Sequence, residues 1–198
     1  MNRAVFFDRD GTVTEEVGYL DDLSKLRLIP GAGHAIKALN RAGFRVVLVT
    51  NQSGVARGYF PESLVHEAHQ RLEEMLAGDG ARLDGIYYCP HHPTAGNSPY
   101  TIACDCRKPG TGLLERAARD LAVDLRDSFV VGDKWSDIEL AHRAGARSIL
   151  VRTGFGQDDP GNTRPNGLAD PDHIAPDITG AVDWILKAES RGQRAEGR

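Results

Sequence analysis

The sequence predicts an α/β protein built on a doubly wound, mostly parallel sheet. Two observations carry that expectation. Short runs rich in Val, Ile and Phe alternate with segments of helical period, the mark of βα units covered on both faces. Polar clusters then follow several of the apolar runs at their carboxyl ends, where open parallel sheets bind ligands.

Taken in order, the apolar runs place strands over 4–7, 45–50, 85–89, 128–131 and 148–151. Helices are expected between them over 32–41, 61–76, 112–121 and 136–144, with Pro61 suited to a first turn and Gly145 to a stop. A last strand and helix are expected from Asp172 through Asp183-Trp184-Ile185-Leu186. The tail ESRGQRAEGR has too little apolar surface to order itself, so the domain is placed over 1–188 and an unordered tail over 189–198. Two insertions break the rhythm, 89–110 and the Gly/Pro/Asp-rich 154–170, and loops of this length inside a compact domain are usually functional or disordered.

The chain has 198 residues and 40% hydrophobic content, ordinary for one globular domain. Its 24 Lys+Arg against 28 Asp+Glu give a net charge of -4 with no basic run, which argues against nucleic acid as a partner. The first apolar run ends at Phe7, too short for a signal-peptide core, and no stretch approaches the roughly 20 apolar residues that span a bilayer. A cytoplasmic protein is therefore expected. It is expected to be a monomer, for want of a dimerisation stripe.

The strand ends carry the chemistry. The first reads Asp8-Arg9-Asp10-Gly11-Thr12, the second Thr50-Asn51-Gln52-Ser53-Gly54, and the fourth Gly132-Asp133-Lys134-Trp135-Ser136-Asp137, while Arg107-Lys108-Pro109 precedes the helix leading to that fourth strand. Any one of these alone reads as a turn or a helix cap. Together they place several carboxylates at one point, where they repel unless a cation sits among them, and a hard oxygen-lined site open to phosphate suits Mg²⁺. Asp8 and Asp133 are the evident ligands. An Asp carboxylate there can attack phosphorus, and Asp10 can protonate the leaving oxygen and later activate water. Phosphate-monoester hydrolysis is among the slowest uncatalysed reactions, needing accelerations of up to about 10²¹-fold. Charge on the transferring oxygens must therefore also be met, by Lys108, the metal and the Thr50 hydroxyl.

The set Asp8-x-Asp10-Gly-Thr, Thr50, Lys108 and Gly132-Asp133-x-x-x-Asp137 resembles the four motifs of the haloacid dehalogenase (HAD) superfamily of phosphohydrolases. The resemblance implies a HAD-like Rossmannoid sheet, Asp8 as nucleophile, Asp10 as general acid/base, and a Mg²⁺ site formed by Asp8, Asp10 and Asp133.

All three cysteines fall in the first insertion, as Cys89-Pro-His91-His92 and then Cys104-Asp-Cys106. Three thiols and an imidazole from His91 or His92 make a closed four-ligand structural Zn²⁺ set. Ordering about 18 residues costs about 1–2 kcal/mol each, and a structural zinc worth roughly 10–16 kcal/mol offsets a large part of that. CPHH…CDCRKP, VTNQSGVARG and GDKWSD are together similar to the histidinol-phosphatase-like branch of the superfamily, in which a zinc loop stands in place of a large cap domain. That similarity implies His91 as the zinc ligand beside Cys89, Cys104 and Cys106, and places Glu16, Gly18, Tyr19, Asn51, Ser53, Arg107 and Lys134 around the substrate. It implies a small phosphorylated sugar of carbohydrate metabolism, a heptose 1,7-bisphosphate losing its 7-phosphate, with histidinol phosphate as the alternative. Two features depart from the branch: Gly110-Thr111 stands where His-Pro is common, and 154–170 is longer than expected. A phospho-accepting receiver domain, a reading of another class, would carry its phosphoacceptor Asp after the third strand, which here ends in Tyr88-Cys89.

Overall fold

The computed structural model describes residues 1–196 except 97, 98, 158 and 160, and side chains as far as 190. Among these residues six strands form one all-parallel sheet: β1 (Ala4–Phe7), β2 (Arg45–Asn51), β3 (Gly85–Cys89), β4 (Phe129–Gly132), β5 (Arg147–Val151) and β6 (His173–Ala175). Their spatial order is β3-β2-β1-β4-β5-β6. Five helices connect or follow them: α1 (Ala32–Arg41), α2 (Glu62–Gly78), α3 (Gly112–Leu121), α4 (Trp135–Ala144) and α5 (Ile178–Glu196). The expected elements are all present, with ends shifted by a residue or two except at the end of α5; Pro61 stands just outside α2 in an extended conformation. The backbone of α5 is helical through Glu196, into the tail expected to be unordered, and the remaining two residues lie outside the described set.

Strand β1 shows why consecutive apolar residues are needed. Val5 and Phe7 point to one face and join Leu48, Phe129 and Val131 against α1, α2 and α5. Ala4 and Phe6 point to the other and join Val47, Val49 and Val130 against α3 and α4. Both faces of a parallel strand are buried, so a polar residue inside the strand would be stranded from water. Each fully buried Phe or Leu contributes about 1.5–3 kcal/mol to this packing. A third, smaller cluster of Val55, Phe60 and Val65 meets Tyr88 and Tyr100, fastening the β2–α2 connection to the 89–110 insertion.

The order of strands reverses between β1 and β4, which pair in register from Val5↔Phe129 to Phe7↔Val131. Such a switch point opens a crevice beyond the carboxyl ends of the two strands. Asp8 and Asp133 are the residues that follow them. The strand order also separates this chain from receiver domains, whose sheets run 2-1-3-4-5. Among the described residues no helix is long and apolar enough to cross a membrane.

Candidate active site

A cleft of about 400 Å³ opens at the switch point. It is lined by every residue expected to be catalytic (Asp8, Asp10, Thr50, Lys108) and every one expected around the substrate (Glu16, Gly18, Tyr19, Asn51, Ser53, Arg107, Lys134). Asp133 lies buried beside it. Leu20, Gln52, Gly54, Ser136 and Phe155 complete the wall.

The turn after β1 is shaped by the carbonyl of Arg9, which accepts hydrogen bonds from the N–H groups of Val13 and Thr14 at 2.9 Å. Gly11 adopts a positive φ of 81° there. A side chain on Gly11 would put its Cβ 2.2 Å from Asp133 Oδ2, so the turn closes directly on the acid that follows β4.

Three carboxylates, those of Asp8, Asp133 and Asp137, bring ligand oxygens within 4.8 Å of one another, all buried. Lys108 enters from a distant loop and sets its ammonium 2.8 Å from Asp8 Oδ1 and 2.7 Å from Asp137 Oδ1, donating also to the Val49 carbonyl. Burial opposes that charge, but Asp137 and Asp8 outweigh it and hold the ammonium above its ordinary pKa. Asn51 brackets the lysine, accepting from its backbone N–H at 3.0 Å and donating to its carbonyl at 3.2 Å, so that its amide is committed to Lys108. Burial, followed by the neighbouring Asp8, pushes Asp133 up to about 8. One oxygen of Asp133 accepts from the Phe155 N–H at 2.9 Å, while Oδ1 is buried with no hydrogen-bond donor among the described residues. A buried carboxylate oxygen without a donor, facing a second carboxylate, is the environment that a hard divalent cation satisfies.

The acidic trio is not the expected Asp8, Asp10 and Asp133. Asp137 takes the third place, and the Asp10 carboxylate is bound elsewhere. Arg9, almost wholly buried, forks onto it through Nε at 2.9 Å and Nη2 at 2.8 Å. Gln52 donates to Asp10 Oδ2 and to the Thr50 hydroxyl, both at 2.9 Å, and accepts from Arg9 at 2.9 Å. Burial pushes against the ionised form, yet Arg9 and Gln52 hold the Asp10 carboxyl below its ordinary pKa. Sequence reasoning passed over Arg9 and Gln52. The available signal was the very presence of an Arg between two acids that must share a buried turn, since such a charge has to be paired.

At the mouth, Lys134 lies 3.4 Å from Glu16 and 4.3 Å above the Phe155 ring. The Gly18 N–H donates to Glu16 at 2.6 Å, and Tyr19 meets Tyr59 edge to face.

Beside the cleft, Cys89 Sγ, His91 Nδ1, Cys104 Sγ and Cys106 Sγ form one cluster within 4.8 Å. Cys89 and Cys104 are 3.6 Å apart, Cys104 and Cys106 3.2 Å, and His91 Nδ1 lies 3.3 Å from Cys106 and 3.7 Å from Cys89. A tetrahedral zinc with Zn–S of about 2.3 Å requires sulfur separations of about 3.8 Å, close to these edges. His92 is turned away: its Nδ1 accepts from the N–H groups of Thr94 and Ala95, and its Nε2 faces Arg57 at 3.1 Å. Arg107 donates to the His91 carbonyl at 3.1 Å, tying this cluster to the cleft.

A family model for haloacid dehalogenase-like hydrolases matches residues 5–74, and a HAD-hydrolase-like model matches 105–181. A D-glycero-D-manno-heptose-1,7-bisphosphate 7-phosphatase of Thermosynechococcus vestitus is 47% identical over 186 residues, covering 92% of this chain and 94% of that protein. The D-glycero-beta-D-manno-heptose-1,7-bisphosphate 7-phosphatase of Escherichia coli strain K12 is 38% identical, covering 93% and 88%. The crystal structure of D,D-heptose 1,7-bisphosphate phosphatase from B. bronchiseptica, complexed with magnesium and phosphate, superposes with a TM-score of 0.82 at 33% identity, over 94% of this chain and 99% of that one. Fold and site thus define a haloacid dehalogenase-like hydrolase, and within that class the chain belongs to the D-glycero-D-manno-heptose-1,7-bisphosphate 7-phosphatase family.

Two glycines test the closeness of the turn to Asp133. Gly11 and Gly18 both have positive φ, but a Cβ on Gly18 meets nothing within 4 Å. Gly18→Ala is expected to cost only the backbone strain of that conformation, about 1–2 kcal/mol. Gly11→Ala is expected to cost clearly more in chemical unfolding, since Asp133 must also be displaced. Equal losses for the two would show that Asp133 is not held against the turn.

Proposed function

We propose that this chain is a Mg²⁺-dependent phosphatase that removes the 7-phosphate of a D-glycero-D-manno-heptose 1,7-bisphosphate through a phosphorylated Asp8. The observation that carries this reading is the placing of Asp8 in the cleft wall beside Asp133, with one oxygen held by Lys108 and by the Arg9 N–H at 2.7 Å. The names of the relatives supply the sugar, and the side chains supply the class of reaction. Asp8 and Asp133 are the carboxylates assigned to Mg²⁺, which when bound offsets charge on the phosphoryl oxygens.

In the first step the Asp8 carboxylate forms a bond to phosphorus while the bond from phosphorus to the sugar's 7-oxygen breaks. That oxygen leaves with a proton from Asp10. In the second step water attacks the aspartyl phosphate, Asp10 takes the water's proton, and the bond to Asp8 breaks to release inorganic phosphate. The ionised Asp10 held by Arg9 and Gln52 is the form that the second step requires. To serve as acid it takes up a proton as the anionic substrate arrives. Lys108 holds Asp8 in place and meets negative charge, and the Thr50 hydroxyl, Ser53 and Lys134, which line the cleft, contact phosphate or sugar oxygens. A structural zinc held by Cys89, His91, Cys104 and Cys106 fixes the loop from which Arg107 and Lys108 depart. Among the described residues no cap domain covers the cleft, so a phosphate on a terminal CH₂ can enter while the sugar stays near the rim.

Asp8→Asn is expected to reduce phosphate release to background with the fold retained by circular dichroism. Asp10→Asn should lose about 10²–10⁴-fold, and less on esters with good leaving groups, which need no proton. Retained turnover in Asp8→Asn would overturn the nucleophile assignment.

Protein purified without added metal should contain about one zinc per chain by elemental analysis. Cys104→Ala and His91→Ala should lose it, whereas His92→Ala should keep it. Folded, active protein free of zinc would exclude the structural metal.

The substrate is tested by comparing kcat/KM on heptose 1,7-bisphosphate, histidinol phosphate and hexose monophosphates. The bisphosphate should be preferred by at least tenfold. Faster turnover of histidinol phosphate would replace the sugar while leaving Asp8 as nucleophile.

A further inference from the structure

The Gly/Pro/Asp-rich segment after β5 sends its contacts toward one acid. Thr153 donates through its hydroxyl to the Gly11 carbonyl at 2.5 Å, which docks the start of the segment on the turn after β1. Phe155 follows, donating its N–H to Asp133 Oδ2 at 2.9 Å and laying its ring under Lys134. The chain then turns back, with the Asn162 N–H donating to the Asp159 carbonyl, and delivers Asn162 to the junction of β4 and α4.

There the Asn162 amide is fully used. Its Nδ2 donates to the Asp133 carbonyl at 3.0 Å and to the Phe155 carbonyl at 3.1 Å. Its Oδ1 accepts from the N–H of Trp135 at 2.9 Å. Trp135 is the first residue of α4, and its N–H has no carbonyl partner inside the helix. One side chain therefore fixes the backbone on both sides of Lys134. It also fixes the residue whose N–H holds Asp133 Oδ2.

We propose that Asn162 is a positioning residue for the divalent-cation site, bracing the main chain of Asp133 directly and its carboxylate through Phe155. The proposal rests on the assignment of Asp133 to Mg²⁺ made above. A carboxylate fixed at one oxygen and at its own backbone presents the other oxygen in a single direction, and Asp133 Oδ1 is the one without a donor among the described residues. Outer partners that orient metal ligands typically govern 10–100-fold in affinity.

The experiment measures binding of Mg²⁺ alone to the full chain, by titration calorimetry and by the Mg²⁺-dependent rise in unfolding midpoint, for wild type, Asn162→Ala and Arg164→Ala. Arg164 belongs to the same segment, bonding to Leu168 and Asp170 and stacking over Trp135, but touches neither Asp133 nor Phe155 in those contacts. Asn162→Ala is expected to weaken Mg²⁺ binding about tenfold or more, to raise the Mg²⁺ concentration giving half-maximal rate by the same factor, and to leave the zinc content unchanged. Arg164→Ala is expected to bind Mg²⁺ as wild type does, whatever it does to the midpoint of the metal-free protein. Wild-type affinity in a folded Asn162→Ala protein overturns the proposal. So does an equal loss in Arg164→Ala, which would mean general loosening of the segment. If wild type itself binds no Mg²⁺, the metal assignment falls and this inference falls with it.

Discussion

Three buried carboxylates meeting beyond β1 and β4 are the constraint to which the rest of the site answers. Two unit charges about 4 Å apart repel by about 4 kcal/mol at the effective dielectric of a protein's outer layers, and burial sharpens the penalty. Lys108 neutralises one charge by standing between Asp8 and Asp137. It can do so only if a residue from a remote loop is delivered deep into the crevice and kept there. Asn51 accounts for the keeping, since its amide takes both backbone groups of Lys108. One ammonium cannot balance three carboxylates, and the deficit shows at Asp133, whose pKa is raised and whose Oδ1 has no donor among the described residues.

The second acid of the turn is kept out of this cluster. Arg9 and Gln52 turn the Asp10 carboxylate toward themselves, so adjacent acids in the same DxD take opposite surroundings: Asp8 against Asp133 and Lys108, Asp10 against a buried guanidinium. Neighbouring carboxylates in different environments can take different roles, one as nucleophile and the other as proton carrier. Gln52 also touches the Thr50 hydroxyl, so the group proposed to contact phosphate and the one proposed to move the proton share a single hydrogen-bonded unit.

The fold was legible because the central strands carry short apolar runs such as Ala4–Phe7 and Val46–Val49, and because some helices are bounded by a recognisable residue such as Gly145. The strand ends were legible for the same reason: a polar residue directly after a run such as Ala4–Phe7 has nowhere to go but the carboxyl edge of the sheet. Apart from Arg9, whose partner is the next acid, what escaped were residues whose partners lie far away in sequence. Asn162 sits in a stretch of Gly, Pro and Asp that reads only as turns, and its bonds to Asp133 and Trp135 leave no periodic trace. Asn51 was expected beside the substrate. It does line the cleft, but its amide is committed to Lys108, a distinction that sequence position does not encode. Likewise His91 and His92 are equivalent by composition, and only the path of the loop turns one to the thiols and the other to Arg57.

Two irregular insertions thereby frame the cleft, and each solves the same entropic problem by a different means. The 89–110 loop gathers four metal-type ligands and pins Tyr100 to Glu62 of α2, so that Arg107 and Lys108 leave it from a fixed point. The segment after β5 shows no such cluster among its described residues and is instead held by hydrogen bonds to the Gly11 carbonyl, Asp133 and the start of α4. Arg107 comes to the rim from the first insertion and Phe155 from the second, with Lys134 between Phe155 and Glu16. A cap domain would recognise a substrate by closing over it. Here the donors on the rim are already held in place by their own loops, which favours a small anionic ligand whose phosphate reaches inward and whose polar groups stay at the mouth.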